Sequence, residues 1–138
     1  MSPRSADDLL AEARARIDRV TPAELAVLRD EGALVIDIRP VAQRLAEGEL
    51  GFGLTVERNV VEWRFDLTGA HALAEVRGYD QPVVVVCSEG YASSLVAATL
   101  ADLGFTRASD LIGGYRAWDR WQWEGDLARS LAAPGGRG

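Results

Sequence analysis

The sequence predicts an α/β protein in which one parallel sheet lies between two helical layers. Two observations carry that expectation. Short apolar stretches rich in β-branched residues alternate with segments of helical periodicity, the order that parallel strands joined by crossover helices require. One of those stretches, PVVVVC at residues 82–87, is apolar without interruption, as a central strand covered on both faces must be. With 138 residues the chain is of single-domain size and long enough to bury a core.

The elements follow in order. SADDLLAEARARI has helical spacing, Ser5 as its cap and acids in its first turn, where the macrodipole favours them. A second helix should start at Thr21, with Pro22 at its first position and Glu24 closing a capping box, and run to about Glu31. ALVID then reads as a short buried strand ending at Asp37. PVAQRLAEG reads as a short helix, LTVERNV as a second strand, and GAHALAEVRG as a helix. After PVVVVC comes SSLVAATLADLG, a helix apolar on most sides with Gly104 as its stop. ASDLI is one more strand. GYRAWDRWQWEG is a helix carrying three of the four tryptophans, with Trp118 and Trp121 forming a core stripe. APGGRG should be a frayed tail. There is no internal repeat and no linker.

Composition narrows the function classes. The formal net charge is −6, so no basic footprint points to nucleic acid or an anionic membrane. No signal peptide is expected at the N-terminus, and no run approaches the roughly 18 apolar residues of a membrane span. The expected location is therefore the cytoplasm. One cysteine and one histidine exclude an internal disulfide and the usual zinc clusters. A single thiol also has no internal resolving partner, so any sulfur-loaded form must be discharged from outside. All fifteen basic residues are arginine, a side chain suited to anions.

The single thiol is the chemical candidate. In parallel sheets ligands sit beyond the carboxyl ends of the strands, and Cys87 occupies such an end. A thiol reacts as its thiolate, and an ordinary cysteine, with a pKa of about 8.5, is mostly protonated at neutral pH. The helix after the loop SEGYAS points its unpaired N–H groups back toward the sulfur. The loop can also curl so that successive amides form an anion-binding nest. Gly90 is where that curl needs positive φ, and Ser93 and Ser94 can cap the helix. A lone cysteine after four valines reads otherwise as a small core hydrophobe; the order strand–Cys–x–x–Gly–x–x–Ser–helix favours the functional thiolate.

Three segments then carry a family resemblance. VIDIRP resembles the Asp-x-Arg signature of the rhodanese sulfurtransferases, CSEGYASS their active-site loop, and DLIGGYRAW their late Gly-Gly-x-x-x-Trp segment. The chain thus resembles a single-domain rhodanese over residues 18–125, with a helical extension at 1–17 and a partly disordered tail at 126–138. The resemblance implies a three-layer α/β/α fold with a five-stranded parallel sheet. It implies that Cys87 takes a sulfane sulfur from a donor such as thiosulfate or a persulfide. Cys87 would hold it as a persulfide and pass it to cyanide, a thiol or a protein acceptor, with neither metal nor organic cofactor. Ser88, Glu89, Gly90, Tyr91, Ala92 and Ser93 would form the loop around the sulfur.

The departures from the family matter for substrate choice. Many relatives carry arginine just before the loop serine, where this chain has Ala92, and Glu89 adds a negative charge. Thiosulfate should therefore bind weakly unless Arg58 or Arg64, which follow another strand, reach the pocket rim; both read equally well as solvated surface arginines. GELGFG at 48–53 stands where relatives often read Gly-His-Ile-Pro-Gly-Ala. Asp37 and Arg39 read as an ion pair anchoring neighbouring loops, or as an anion site. Gly113 and Gly114 permit a tight turn, and His71 is given no role. Two other readings stand beside the enzyme: a non-catalytic rhodanese-like module that binds a partner or carries sulfur, and a cysteine phosphatase or arsenate reductase. The latter needs an arginine six positions after the cysteine, where this chain has Ser93.

Overall fold

The computed structural model describes residues 2–132. Helix α1 (Ala6–Ala15) leads into strand β1 (Asp18–Val20), followed by α2 (Pro22–Asp30), β2 (Leu34–Asp37), α3 (Val41–Glu47) and β3 (Leu54–Thr55). A 3-10 turn (Arg58–Val60) then runs into α4 (Val61–Phe65), with β4 (Val83–Val86), α5 (Ala92–Leu103), β5 (Ala108–Leu111) and α6 (Gly114–Ala132) completing the fold. The five strands are all parallel, in the order β1-β5-β4-β2-β3. The three-layer fold with a five-stranded parallel sheet is thus as the sequence and its resemblance implied.

The four valines of β4 explain the layering. All four are fully buried, and alternate side chains leave opposite faces of a strand. Val83 and Val85 join Ile36, Phe65, Val96, Leu100 and Phe105 in one core. Val84 and Val86 join Val35, Leu25, Leu111, Tyr115 and Trp118 in the other. Helices α4 and α5 cover the first face, α2 and α6 the second. Trp118 is buried as expected, whereas Trp121 is partly exposed and leans on it with ring centroids 5.2 Å apart.

The expected capping box of Thr21 with Glu24 is present on α2, and Ser5 caps α1 as expected, with Asp8 closing a second box that was not anticipated. Gly104 ends α5 in the left-handed region at φ +117°, as a helix stop requires.

Several elements differ from expectation. The segment GAHALAEVRG is not helical. Its backbone groups are captured singly rather than in an i to i−4 ladder: the Arg64 guanidinium donates to the His71 carbonyl, the Leu73 amide to the Arg64 carbonyl, and the Gln81 side chain spans Glu75 and Arg77. Side chains that offer such bonds compete with a short helix, which has little nucleation advantage of its own. LTVERNV pairs as a strand only at Leu54–Thr55 before turning at Arg58. Strand β1 is too short for period-2 patterning to announce. Helix α6 continues to Ala132, past the expected tail boundary at 126, through a leucine- and alanine-containing stretch of good helix formers and an Arg129–Asp126 pair. The expected fraying of APGGRG, residues 133–138, lies outside the described residues.

Candidate active site

Cys87 follows β4 directly, at the carboxyl end of the sheet's central strand, and its sulfur is nearly buried. Its Sγ accepts from two backbone amides, Gly90 N–H at 3.2 Å and Ser93 N–H at 3.4 Å. Gly90 has φ +87°, so the curl uses the backbone freedom expected of it. The loop's carbonyls point elsewhere. That of Cys87 accepts from the Tyr115 amide at 2.7 Å and that of Ser88 from the Arg116 amide at 3.1 Å, both in the first turn of α6. Gly114 makes this approach possible, since a Cβ there would lie 2.5 Å from the Cys87 carbonyl oxygen. Carbonyls out and amides in is the arrangement that stabilises an anion on the sulfur.

The serines of the loop do not cap α5 as expected. Tyr91 is the N-cap residue and makes no side-chain cap bond. Ser93 and Ser94 instead donate to one oxygen of Asp110, at 2.7 and 2.8 Å. With its proton committed to Asp110, the Ser93 hydroxyl accepts from the Cys87 thiol at 3.2 Å. Asp110 is completely buried and is paired with Arg19 at 2.8 Å, as a buried carboxylate requires.

The other predicted residues divide. Ser88 is buried and turned away from the sulfur, its hydroxyl 2.9 Å from both Gln43 Oε1 and Glu47 Oε1. Glu89 is exposed and faces Arg116 at 3.7 Å. The Tyr91 ring is exposed beneath the Arg14 guanidinium. Ala92 lines a cavity of about 380 Å³ together with Cys87, Ile38, Gln43, Glu57 and Arg58. Arg64 is absent from that lining and is spent on the His71 carbonyl.

Arg39 also borders the cavity, but its guanidinium is fully buried and committed: to Asp37 at 2.8 Å, to Glu47 at 3.2 Å, and over the Tyr115 ring at 4.0 Å. Burial opposes its charge, and the bonds and charges from Asp37 and Glu47 outweigh that, holding it above its ordinary value. This geometry favours the anchor reading of Asp37 and Arg39. Among the described residues lining the cavity, Arg58 is the cation not tied to a carboxylate.

Glu47 links the anchor to the loop, touching Arg39, Ser88 and Arg116. Burial would raise its carboxyl, but the bonds from Ser88, Arg116 and Arg39 outweigh burial and hold it below the ordinary glutamate value of 4.5. A lowered value contributes stability that is present above 4.5 and lost as pH falls through the folded-state value. The melting-temperature gap between wild type and Glu47→Gln should therefore be widest near neutrality and shrink below that point, which thermal melts across the acid range will check. A gap independent of pH would remove Glu47 as the source.

Sequence reading missed Arg14, Arg19 and Asp110. A charged residue within the otherwise apolar strand end of ASDLI was the available signal for Asp110; for the arginines no local signal exists.

A family model described as Rhodanese-like domain matches residues 21–120. The chain is 33% identical over 117 residues to the thiosulfate sulfurtransferase GlpE of Pseudomonas entomophila, spanning 83% of this chain and 94% of that relative. A rhodanese homologue from Thermus thermophilus superposes with a TM-score of 0.53 at 31% identity, covering 72% of this chain and 99% of that one. A protein of unknown function from Rhodopseudomonas palustris, described as a possible tyrosine phosphatase, superposes with a TM-score of 0.79 at 25% identity, covering 88% and 94%. No helix among the described residues is long and apolar enough to cross a membrane.

Proposed function

This chain belongs to the rhodanese-like sulfurtransferase family, and from that premise we propose that it transfers a sulfane sulfur through a persulfide on Cys87. The observation that carries the reading is the sulfur's setting: two amides aimed at it, the neighbouring carbonyls turned away, and an open cavity in front. In the first half-reaction the Cys87 thiolate attacks the outer sulfur of thiosulfate. A new sulfur–sulfur bond forms as the old one breaks, and sulfite leaves with its electron pair. In the second, cyanide or a thiolate attacks the terminal sulfur of the persulfide, and the Cys87 thiolate is released. No electrons are gained or lost overall, and the covalent intermediate divides one transfer into two steps. The amides of the loop offer hydrogen bonds to the negative charge that the thiolate and the persulfide carry during the reaction.

Intact-mass measurement tests the reading. Incubation with thiosulfate or a small-molecule persulfide should add one sulfur atom to the chain, and cyanide should remove it. A mass unchanged with either donor would overturn it.

Donor choice falls to Arg58. It borders the cavity with Cys87 and Ala92, and so supplies the charge that the loop itself lacks. A charge-assisted hydrogen bond contributes roughly 1.5–3 kcal/mol, about ten- to a hundred-fold in affinity. Arg58→Ala should raise the thiosulfate KM by about that factor with little change in kcat, and the difference should shrink with added salt. Ala92→Arg, by contrast, should lower KM only modestly. If Arg58→Ala leaves KM unchanged while Ala92→Arg lowers it about ten-fold or more, thiosulfate meets no cation in the wild-type cavity.

The phosphatase reading fits less well. Oxyanion clamping at a phosphate needs a strong donor at the sixth position after the cysteine, where Ser93 is already committed to Asp110. Phosphate-ester hydrolysis should therefore be absent in the protein that takes up sulfur.

A further inference from the structure

The Gly90 carbonyl is held by two guanidinium groups. It accepts from Arg14 Nη2 at 2.7 Å and Arg19 Nη2 at 3.0 Å. Arg14 also donates through Nε to Ser94 Oγ at 3.1 Å, and Arg19 through Nε to Asp110 at 2.8 Å. Both arginines precede the span that the family model matches, which begins at residue 21. They come from α1 and β1, more than half the chain away from the loop in sequence.

We propose that Arg14 and Arg19 are positioning residues of the Cys87 loop, which together hold the Gly90 carbonyl away from the sulfur and keep the Gly90 and Ser93 amides facing it. A glycine at positive φ has wide backbone freedom, so the loop's own sequence does not fix which way the peptide after Gly90 faces. Were that peptide to rotate, its carbonyl dipole would swing toward the sulfur and oppose negative charge there. Two guanidinium groups on one carbonyl prevent this, because charge-assisted bonds are strong and these are partly shielded from water. The pair also places positive charge behind the loop, where Arg19 balances Asp110. The proposal rests on the reading that Cys87 works as an anion, and it makes the N-terminal helix part of the site.

The test is alkylation of the single thiol by iodoacetamide as a function of pH, which needs no sulfur donor. The charged groups on the elements packed around Cys87 are Glu89 in the loop, Asp37 and Arg39 at the end of β2, Glu47 on α3, Glu57 and Arg58 after β3, Asp110 on β5, Arg116 on α6, and the two arginines. The variant changes only Arg14. Arg14→Ala should be alkylated about ten-fold more slowly near neutral pH, the loss of one charge-assisted contact, and at the wild-type rate in strong alkali, where every thiol is ionised. Arg14→Lys should recover part of the rate, because it keeps the charge and one donor. Arg16→Ala removes an equal charge from the same end of α1, where it pairs with Asp102, and should leave the rate unchanged. An Arg14→Ala profile identical to wild type, or one slowed equally at every pH, overturns the proposal. If Arg14→Ala fails to fold, Arg14→Lys decides: a rate below wild type at neutral pH that converges in alkali supports the clamp, and a superimposable profile overturns it. Sulfur uptake by the wild-type protein is scored separately by mass, so failure of the transferase reading and failure of the clamp give different results.

Discussion

Replacing Cys87 by serine is expected to end sulfur uptake entirely while leaving the protein folded. The hydroxyl is close in shape to the thiol and inherits its partners, the Gly90 and Ser93 amides and the Ser93 hydroxyl, so the stability change should stay within about 1 kcal/mol. Chemically the substitution is severe. A serine hydroxyl stays protonated at neutral pH and needs a neighbouring base to act as a nucleophile. Asp110, the carboxylate behind Ser93, is already engaged by two serines and Arg19. Intact-mass analysis of Cys87→Ser after incubation with a sulfane donor should show no added sulfur. Uptake at the wild-type level would remove Cys87 from the reaction, and loss of the cooperative thermal transition would show that the thiol is needed for folding instead.

Gly90→Val should be nearly as damaging, by a different route. The backbone there sits at φ +87°, and a Cβ would lie 2.8 Å from the Gly113 nitrogen and 3.1 Å from the Leu111 carbonyl oxygen. Neither backbone atom can yield without moving the turn into α6. Strain at such a position costs about 1–3 kcal/mol, and the contact adds to it. The loop should relieve both by abandoning the curl, so alkylation at neutral pH and sulfur uptake should fall together. Gly32→Val separates the two causes, because Gly32 has φ +94° with nothing within 4 Å of its would-be Cβ. It should show the backbone strain in its melting temperature and normal sulfur uptake. A Gly90→Val protein that retains the wild-type alkylation profile would mean that the amides of the curl do not activate the thiol.

What the sequence made legible follows the range of the forces involved. The cap at Ser5 and the capping box at Thr21 are closed within four residues, and both could be read directly. The two-faced burial of β4 was written in its four valines, and the need for positive φ at Gly90 in the small loop around it. The helix expected over 69–78 failed because its apolar spacing was right while its backbone bonds went to Arg64 and Gln81, which lie outside the window that periodicity samples. Asp37 and Arg39 could be read as an anchor from their spacing, but not the burial that commits Arg39 to Glu47 as well. Arg19 meets Asp110 because β1 lies beside β5, and Arg14 reaches the loop because α1 packs on α5. The first adjacency is a property of strand order, and no local pattern encodes either.

Strand order also sets when the thiol can become useful during synthesis. β1, the first strand made, has its sole neighbour in β5, the last, with Asp18 opposite Ser109. Contacts between such distant segments form late and slowly, since a long loop must close before they repay its entropy. A growing chain that has emerged only as far as α5 carries Cys87 without Asp110, without the α6 amides that draw the Cys87 and Ser88 carbonyls aside, and without a seat for Arg19. On the ribosome, where domains emerge from the N-terminal end first, the thiol should thus lack its full setting until β5 and the first turn of α6 have emerged. Pulse alkylation of stalled nascent chains of increasing length would register that moment as a step in the labelling rate, making the chain's single cysteine a clock for its own maturation.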